Sequence, residues 1–189
     1  MHVVFHKKNK YSSFYIALGF FLIVFSSCSS SHRLSSTNYA SKPAPVSFSG
    51  SAFVKKYSEK LGIQLNEGMN KDLIETVADW LGVPYKYGGD TKNGADCSGF
   101  INQIFLKVYQ IKLPRTAAQL QQQAKNVKTS ALREGDIVFF KINTREAGHA
   151  GIYLLNGYFV HASTSRGVMV SRLADAYWTK YYDGAGTFL

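Results

Sequence analysis

The spacing of apolar residues changes once along this chain, and that change restricts the fold more than any other feature. Apolar residues first recur at three- and four-residue intervals, which predicts helices over residues 73–81, 100–108 and 117–124. Asn70 and Thr116 are expected to cap the first and the third of these helices. They then form short runs, which predict strands over residues 136–141, 149–155, 158–163 and 168–171. Helices followed by strands are typical of an α+β fold, with the helices packed on an antiparallel sheet.

Two of these strands are joined around Asn156-Gly157, and this turn sets which side chains share a face. With a two-residue turn, His149 and His161 would lie on opposite faces, because side chains alternate along a strand. A three-residue turn over 155–157, with Gly157 in the left-handed conformation, shifts the pairing by one residue. Both histidines then share one face, and the other face is mostly apolar, as a core requires. We therefore predict the three-residue turn or an equivalent bulge.

The N-terminal segment has the pattern of a secretory signal. Three lysines among the first ten residues precede an apolar run over 16–25, which is shorter than the ~20 residues that span a bilayer. The run ends in Phe25-Ser26-Ser27-Cys28, which resembles the lipobox of bacterial lipoproteins. We expect residues 1–27 to be a signal peptide, and acyl chains on Cys28 to anchor the chain to a membrane. The alternative is a small-residue cleavage site with an incidental cysteine.

A linker is expected between this anchor and the folded domain. Residues 29–51 are rich in serine and contain Pro43 and Pro45, a composition typical of a flexible tether. We assign 28–69 to the lipidated cysteine and the linker, with room for a short helix over 53–65, and 70–189 to the domain.

The net charge of +10 includes the three lysines of the signal, so the chain from Cys28 onward carries +7. A basic surface suits anionic envelope polymers or lipid headgroups, although a solvated basic face accounts for the same charge. The basic residues are scattered and form none of the clusters of a nucleic-acid binder, so we expect no nucleic-acid partner.

Cys97 is a candidate nucleophile. It is the only cysteine besides Cys28, so acylation of Cys28 leaves it as the one free thiol in an oxidising compartment. Its position at the start of the helix over 100–108 favours a thiolate, because a helix N-terminus carries partial positive charge. An inert buried cysteine is the alternative.

The thiol also needs a base, and every histidine after residue 51 lies in the hairpin. His149 is the candidate base, and His161 is the candidate to orient its ring. The same three side chains are ligand types of a catalytic zinc site, so sequence spacing leaves both chemistries open. For the oxyanion, the backbone N–H of Cys97 is one candidate donor, and the hydroxyl of Tyr85 or Tyr87 is a second.

Six segments of the chain carry motifs of one family. They are Pro84–Gly89, Gly94–Phe100, Leu113–Thr116, Gly135–Phe140, Gly148–Tyr153 and Phe159–Val168. In this order they resemble the NlpC-type cell-wall cysteine peptidases, and among these the murein endopeptidase lipoproteins. The similarity runs from about residue 71 to the C-terminus, including the tail around residues 176–178. Several motifs in the right order are more specific than any single motif.

The resemblance implies a papain-like fold with a catalytic triad of Cys97, His149 and His161, and neither a metal nor another cofactor. It also implies that Tyr85 contributes to the oxyanion site.

Three further residues are assigned to the pocket by the same resemblance. Asp96 and Ser98 flank the nucleophile and are expected to shape the helix start and the pocket. Arg115 is expected either to bind a substrate carboxylate or to have a structural role.

The implied activity is cleavage of peptidoglycan stem-peptide crosslinks at the D-Ala–diaminopimelate bond. Alternatives are cleavage between D-Glu and diaminopimelate, L,D-carboxypeptidase activity, amidase or acyltransferase chemistry, and an inactive lipoprotein that binds peptidoglycan. We expect the protein to be lipid-anchored in the cell envelope, at the outer membrane and facing the periplasm. An adaptor or a protease is expected to control its amount.

Overall fold

The computed structural model describes residues 51–142 and 146–189. The predicted signal peptide, Cys28 and nearly all of the predicted tether lie outside these residues. The helices are α1 (Ala52–Leu61), α2 (Lys71–Trp80), α3 (Cys97–Tyr109), α4 (Ala117–Gln123) and α5 (Ala176–Tyr181), with a 3-10 turn at Thr129–Ala131. The strands are β1 (Asp90–Thr91), β2 (Gly94–Ala95), β3 (Lys125–Val127), β4 (Ile137–Phe140), β5 (His149–Tyr153), β6 (Tyr158–Ser163), β7 (Gly167–Arg172) and β8 (Tyr182–Thr187).

The main sheet has six strands in the order β3-β8-β4-β5-β6-β7, and every neighbouring pair is antiparallel. The helices α1 to α4 precede it in the chain and α5 lies between β7 and β8, which confirms the predicted α+β class. The C-terminal strand β8 lies inside the sheet, between β3 and β4. Strand and helix formation at residues 176–187 was not part of the sequence prediction.

The helix starts follow from side chains that accept otherwise unpaired backbone N–H groups. Asn70 accepts from Leu73 N–H at the start of α2, and Thr116 accepts from Gln119 N–H at the start of α4. Both were predicted as caps. Asp96 does the same for α3 and thereby places Cys97 as its first residue.

Each face of the sheet has its own buried apolar cluster. The larger one joins α1, α2 and α3 to the inner face of the sheet, where Phe139, Ile152 and Val160 are buried. The smaller one lies on the other face and is built from Val138, Phe140, Phe159 and Ala185, with Trp178 and other partly buried aromatic residues packed on it.

The packed core begins upstream of residue 70, inside the segment assigned to the linker. Val54, Tyr57 and Leu61 form one side of α1 and are buried, and so are Ile63 and Leu65 after it. Their spacing directs these buried side chains of α1 into the core, where α1 packs on α2. Among the described residues, no helix is long and apolar enough to cross a membrane.

The β5–β6 hairpin has the predicted register. Ile152 lies opposite Val160 and Tyr153 lies opposite Phe159. The turn is closed by Tyr158 N–H donating to the Leu155 carbonyl at 2.8 Å, and Gly157 has a φ of 80°. Leu155 is one extra residue next to a two-residue turn. This bulge gives the same strand pairing as the predicted three-residue turn.

Candidate active site

Cys97 lies in a cleft formed by the starts of α3 and α4 and the segment just before β5. As the first residue of α3 it is buried, and it lines a cavity of about 390 Å³ together with Tyr85, Arg115 and Gly148. A second cavity, lined by His149 and His161, shares Tyr85 and Gly148 with the first. The three residues of the predicted triad therefore line adjoining parts of one cleft.

The Asp96 carboxylate organises the backbone around the thiol. One oxygen accepts from Gly99 N–H at 2.7 Å, and the other accepts from Gly88 N–H at 2.9 Å. Arg115 donates to both oxygens, at 2.8 and 2.9 Å. Burial alone would raise the pKa of Asp96, but the bonds from Arg115 and Gly99 outweigh it and hold the pKa below its usual value.

Arg115 and Ser98 belong to the same network. The guanidinium donates to Ser98 Oγ at 2.9 Å and to the Gly89 carbonyl at 3.3 Å, in addition to its paired bonds to Asp96. Ser98 Oγ in turn donates to Asp96 at 3.2 Å. Because four hydrogen bonds hold its two terminal nitrogens inside the protein, Arg115 fits the structural alternative of the sequence prediction better than the carboxylate-binding one.

Glycine is required where the segment before the nucleophile meets α3. A Cβ on Gly99 would lie 2.1 Å from the carbonyl oxygen of Gly89, and a Cβ on Gly89 would lie 2.4 Å from that of Gly94. No larger residue fits at either position without moving backbone. This close approach brings Tyr85, which bridges to Ala95, beside the thiol.

Tyr85 is the better placed of the two candidate oxyanion tyrosines. It is half-buried, and burial together with the neighbouring Cys97 and Asp96 raises its pKa, so its hydroxyl keeps a proton to donate. Tyr87 lines the rim of the same cavity but is 89% exposed.

The thiol itself departs from the expectation of a lowered pKa. Burial raises the pKa of Cys97, and the charge of Asp96 adds to this, while the Ala150 N–H that bonds to the sulfur acts in the opposite direction. The resting thiol is therefore neutral. The start of a helix is visible in the sequence, whereas the burial of this thiol is not.

The two histidines are bonded to each other. His149 Nε2 and His161 Nδ1 lie 3.0 Å apart. Both rings are buried and contact Phe140 and Phe159 of the smaller apolar cluster. Burial lowers the pKa of His149 to about 4, and burial together with His149 lowers the pKa of His161 further. Both rings are neutral near pH 7, as a general base must be.

The nitrogens that face each other form a hydrogen bond, which leaves no place between them for a shared ion. Zinc ligands lie about 2.0–2.1 Å from a common metal rather than in contact with one another. Among residues 51–142 and 146–189, no group of three histidine, cysteine, aspartate or glutamate side chains could hold a metal.

Two residues around the histidines had no predicted role. Trp178 of α5 stacks on His149, with ring centroids 5.7 Å apart and planes 22° apart, and lies edge-on to His161 at 4.7 Å. Ser171 Oγ lies 3.0 Å from His161 Nε2. Trp178 falls in the tail that carries the family resemblance, which was a signal for its importance. Ser171 had no such signal beyond its place in β7.

Comparisons with known proteins place this cleft in a family. Residues 82–187 match the model of the NlpC/P60 family. The chain is 42% identical over 120 residues to an Escherichia coli K12 protein named murein DD-endopeptidase MepS/murein LD-carboxypeptidase, a match covering 64% of this chain and 63% of that protein. It is 37% identical over 119 residues to a Bacillus subtilis γ-DL-glutamyl hydrolase, covering 61% of this chain and 29% of that protein.

The fold is also similar to solved structures. A NlpC/P60 family protein from Bacillus cereus matches with a TM-score of 0.58 and 30% identity, over 62% of this chain and 39% of that one. In each of these matches, the chain spans less than two thirds of the other protein's length.

Proposed function

The chain belongs to the NlpC/P60 family, and from that premise we propose that it is a cysteine peptidase that cleaves stem-peptide crosslinks of peptidoglycan. The observation that carries the proposal is the bond between His149 and His161, beside the cleft that holds the Cys97 thiol. A neutral base held by a second group next to a thiol is the arrangement that covalent catalysis requires. An inactive protein that only binds peptidoglycan would not need these three side chains.

The first step is a proton transfer. Since His149 Nε2 is bonded to His161, its Nδ1 is the nitrogen that takes the proton from Cys97 Sγ. The thiolate then attacks the carbonyl carbon of the scissile amide. Because the resting thiol and the imidazole are both neutral, thiolate and imidazolium form together when substrate is bound.

The oxyanion and the leaving group complete the acylation. The backbone N–H of Cys97 and the hydroxyl of Tyr85 are the donors to the tetrahedral oxyanion. His149 returns its proton to the leaving amine as the C–N bond breaks, which leaves an acyl group on Cys97. Water, deprotonated by His149, then releases the product acid and restores the thiol.

The bond we assign is D-Ala–diaminopimelate. The name of the Escherichia coli relative includes a DD-endopeptidase, and its identity of 42% favours this bond. The same name includes an LD-carboxypeptidase, and the Bacillus subtilis relative is named a γ-DL-glutamyl hydrolase. Cleavage of a terminal D-residue and cleavage next to D-Glu are therefore the competing assignments.

Digestion of purified sacculi tests the activity and the bond together. The full chain, purified in detergent, should convert crosslinked muropeptides into monomers that end in D-Ala, and Cys97→Ala should abolish the conversion. Addition of a chelator should leave the rate unchanged. New termini at D-Glu, or an active Cys97→Ala variant, would contradict the proposal.

The anchor is a separate proposal that rests on the lipobox-like segment before Cys28. We assign the mature protein to the outer membrane, facing the periplasm, with an adaptor or protease that limits its amount. Labelling with a radioactive fatty acid should mark the wild-type chain and not Cys28→Ser. Equal labelling of both would exclude lipidation at this position.

A further inference from the structure

Ser171 continues the line of hydrogen bonds that begins at the two histidines. His161 uses both ring nitrogens, Nδ1 toward His149 Nε2 at 3.0 Å and Nε2 toward Ser171 Oγ at 3.0 Å. On β7, Ser171 lies opposite Phe159, so its side chain lies on the same face of the sheet as His161. Both ring nitrogens of His161 therefore have a hydrogen-bond partner within the protein.

A neutral imidazole carries one proton, so the two bonds of His161 are not independent. If His161 holds its proton on Nδ1, that N–H points at His149 Nε2, and His149 must hold its own proton on Nδ1. His149 then has no lone pair for the thiol of Cys97. If His161 holds its proton on Nε2, its Nδ1 accepts from His149 Nε2–H, and His149 Nδ1 is free to take the proton.

The tautomer of His161 also decides whether the His149 imidazolium is stabilised after the proton transfer. After the transfer, His149 carries protons on both nitrogens, and its Nε2–H needs an acceptor. His161 offers one only when its own proton is on Nε2, since two N–H groups facing each other at 3.0 Å would repel. In that tautomer, the Nε2–H group of His161 needs a hydrogen-bond acceptor of its own. Ser171 Oγ is the atom that lies within reach of it.

We propose that Ser171 is a positioning residue that holds His161 as the Nε2–H tautomer and so makes His149 a base for Cys97. A hydroxyl can accept this bond and still donate its own proton. Ser171 also lines a surface cavity of about 300 Å³ with Arg172 and Asp175, where solvent can take that proton. The proposal rests on the proposed cysteine-peptidase function but concerns a property of the resting protein.

The tautomers can be read directly by nuclear magnetic resonance. In long-range ¹H–¹⁵N spectra of the full chain labelled at histidine and solubilised in detergent, both His149 and His161 should show a protonated Nε2 and an unprotonated Nδ1. In Ser171→Ala, a measurable share of both rings should move to the Nδ1–H form. Ser171→Thr keeps the hydroxyl and should restore the wild-type pattern.

Activity on sacculi gives the second readout. Ser171→Ala should lower kcat about 10-fold with little change in KM, and Ser171→Thr should recover most of it. Ser58→Ala is the control, because it removes another hydrogen-bonded serine hydroxyl, a buried one that accepts from Leu65 N–H at 3.0 Å. It should leave both tautomers unchanged.

The outcomes separate this proposal from the proposed function. Unchanged tautomers in a folded Ser171→Ala, or a wild-type His161 protonated on Nδ1, would overturn the role of Ser171. If Ser171→Ala does not fold, the wild-type and Ser171→Thr spectra still decide the matter by the position of the His161 proton. A tautomer shift in a protein whose wild type leaves sacculi intact would support Ser171 and reject the peptidase.

Discussion

The two halves of the cleft are held by different forces. Around Cys97 the contacts are ionic, with the Asp96 carboxylate bound by a guanidinium and two backbone N–H groups. Around the histidines they are aromatic and neutral, with Trp178 packed on both rings and Phe159 stacked on His161.

The difference matches what the proposed mechanism requires of each half. The nucleophile has to stay at one place at the helix start, and charge-assisted bonds to backbone give that precision. The base has to stay uncharged until the reaction begins, and an apolar surrounding disfavours the imidazolium. We therefore expect damage to the ionic half to reduce stability, and damage to the aromatic half to change protonation and rate.

The largest expected effect is on chemistry alone. His149→Ala removes the base, so the rate of crosslink cleavage should fall about 10³-fold. Circular dichroism should show an unchanged fold, because no charge is left unpaired. A variant that keeps more than a tenth of the wild-type rate would exclude His149 as the base and weaken the division between the halves.

Acid should destabilise the aromatic half next. The folded pKa of His149 lies near 4, below the unfolded value of about 6.5, so the unfolded chain binds more protons in this range. The free energy of unfolding should therefore fall as pH drops from 6.5 to 4, by about 3 kcal/mol for His149 at 1.4 kcal/mol per pKa unit.

Urea unfolding at pH 7 and pH 4.5 measures this loss. The ionic half should not contribute to it, because the pKa of Asp96 is held below 3.8 and its carboxylate stays charged throughout. His149→Phe, which removes the titrating group, should show a smaller loss. An equal loss in both proteins would assign the acid sensitivity to other groups.

A smaller change in stability is expected from the ionic half. Asp96→Ala removes the cap of α3 and leaves Arg115 and two N–H groups without their acceptor, so unfolding should become easier by about 2 kcal/mol. Asp79→Ala breaks only an exposed pair with Lys60 and should cost less than about 0.5 kcal/mol. Similar midpoints in thermal unfolding for the two variants would remove the distinction.

The smallest expected effect lies in the turn that sets the histidine register. Gly157 has a φ of 80° with open space around it, so Gly157→Ala meets only backbone strain, about 1 kcal/mol. Gly68→Ala, at a glycine with ordinary φ, is the control and should be close to neutral. Chemical denaturation of both variants measures the difference, and a loss in Gly68→Ala as large as in Gly157→Ala would reject the strain argument.

Local features of the chain were predictable, and those that depend on distant contacts were not. The hairpin register followed from the turn and from alternation along the strands, and the caps at Asn70 and Thr116 followed from their neighbours in sequence. The aromatic cover on the histidines depends on α5 folding back over the sheet, which no local pattern indicates. Likewise, the neutral state of Cys97 depends on burial by residues far away in the chain.

The placement of β8 has a consequence for the order in which the protein matures. Until residues 182–187 have been synthesised, the sheet has a gap between β3 and β4, and the apolar cluster around Phe140 and Trp178 lacks Tyr182 and Ala185. A nascent chain, or one truncated before residue 182, therefore carries the thiol and both imidazoles before the apolar cluster beside the imidazoles is complete. The proposed hydrolytic activity would in this sense be the last property that the growing polypeptide acquires.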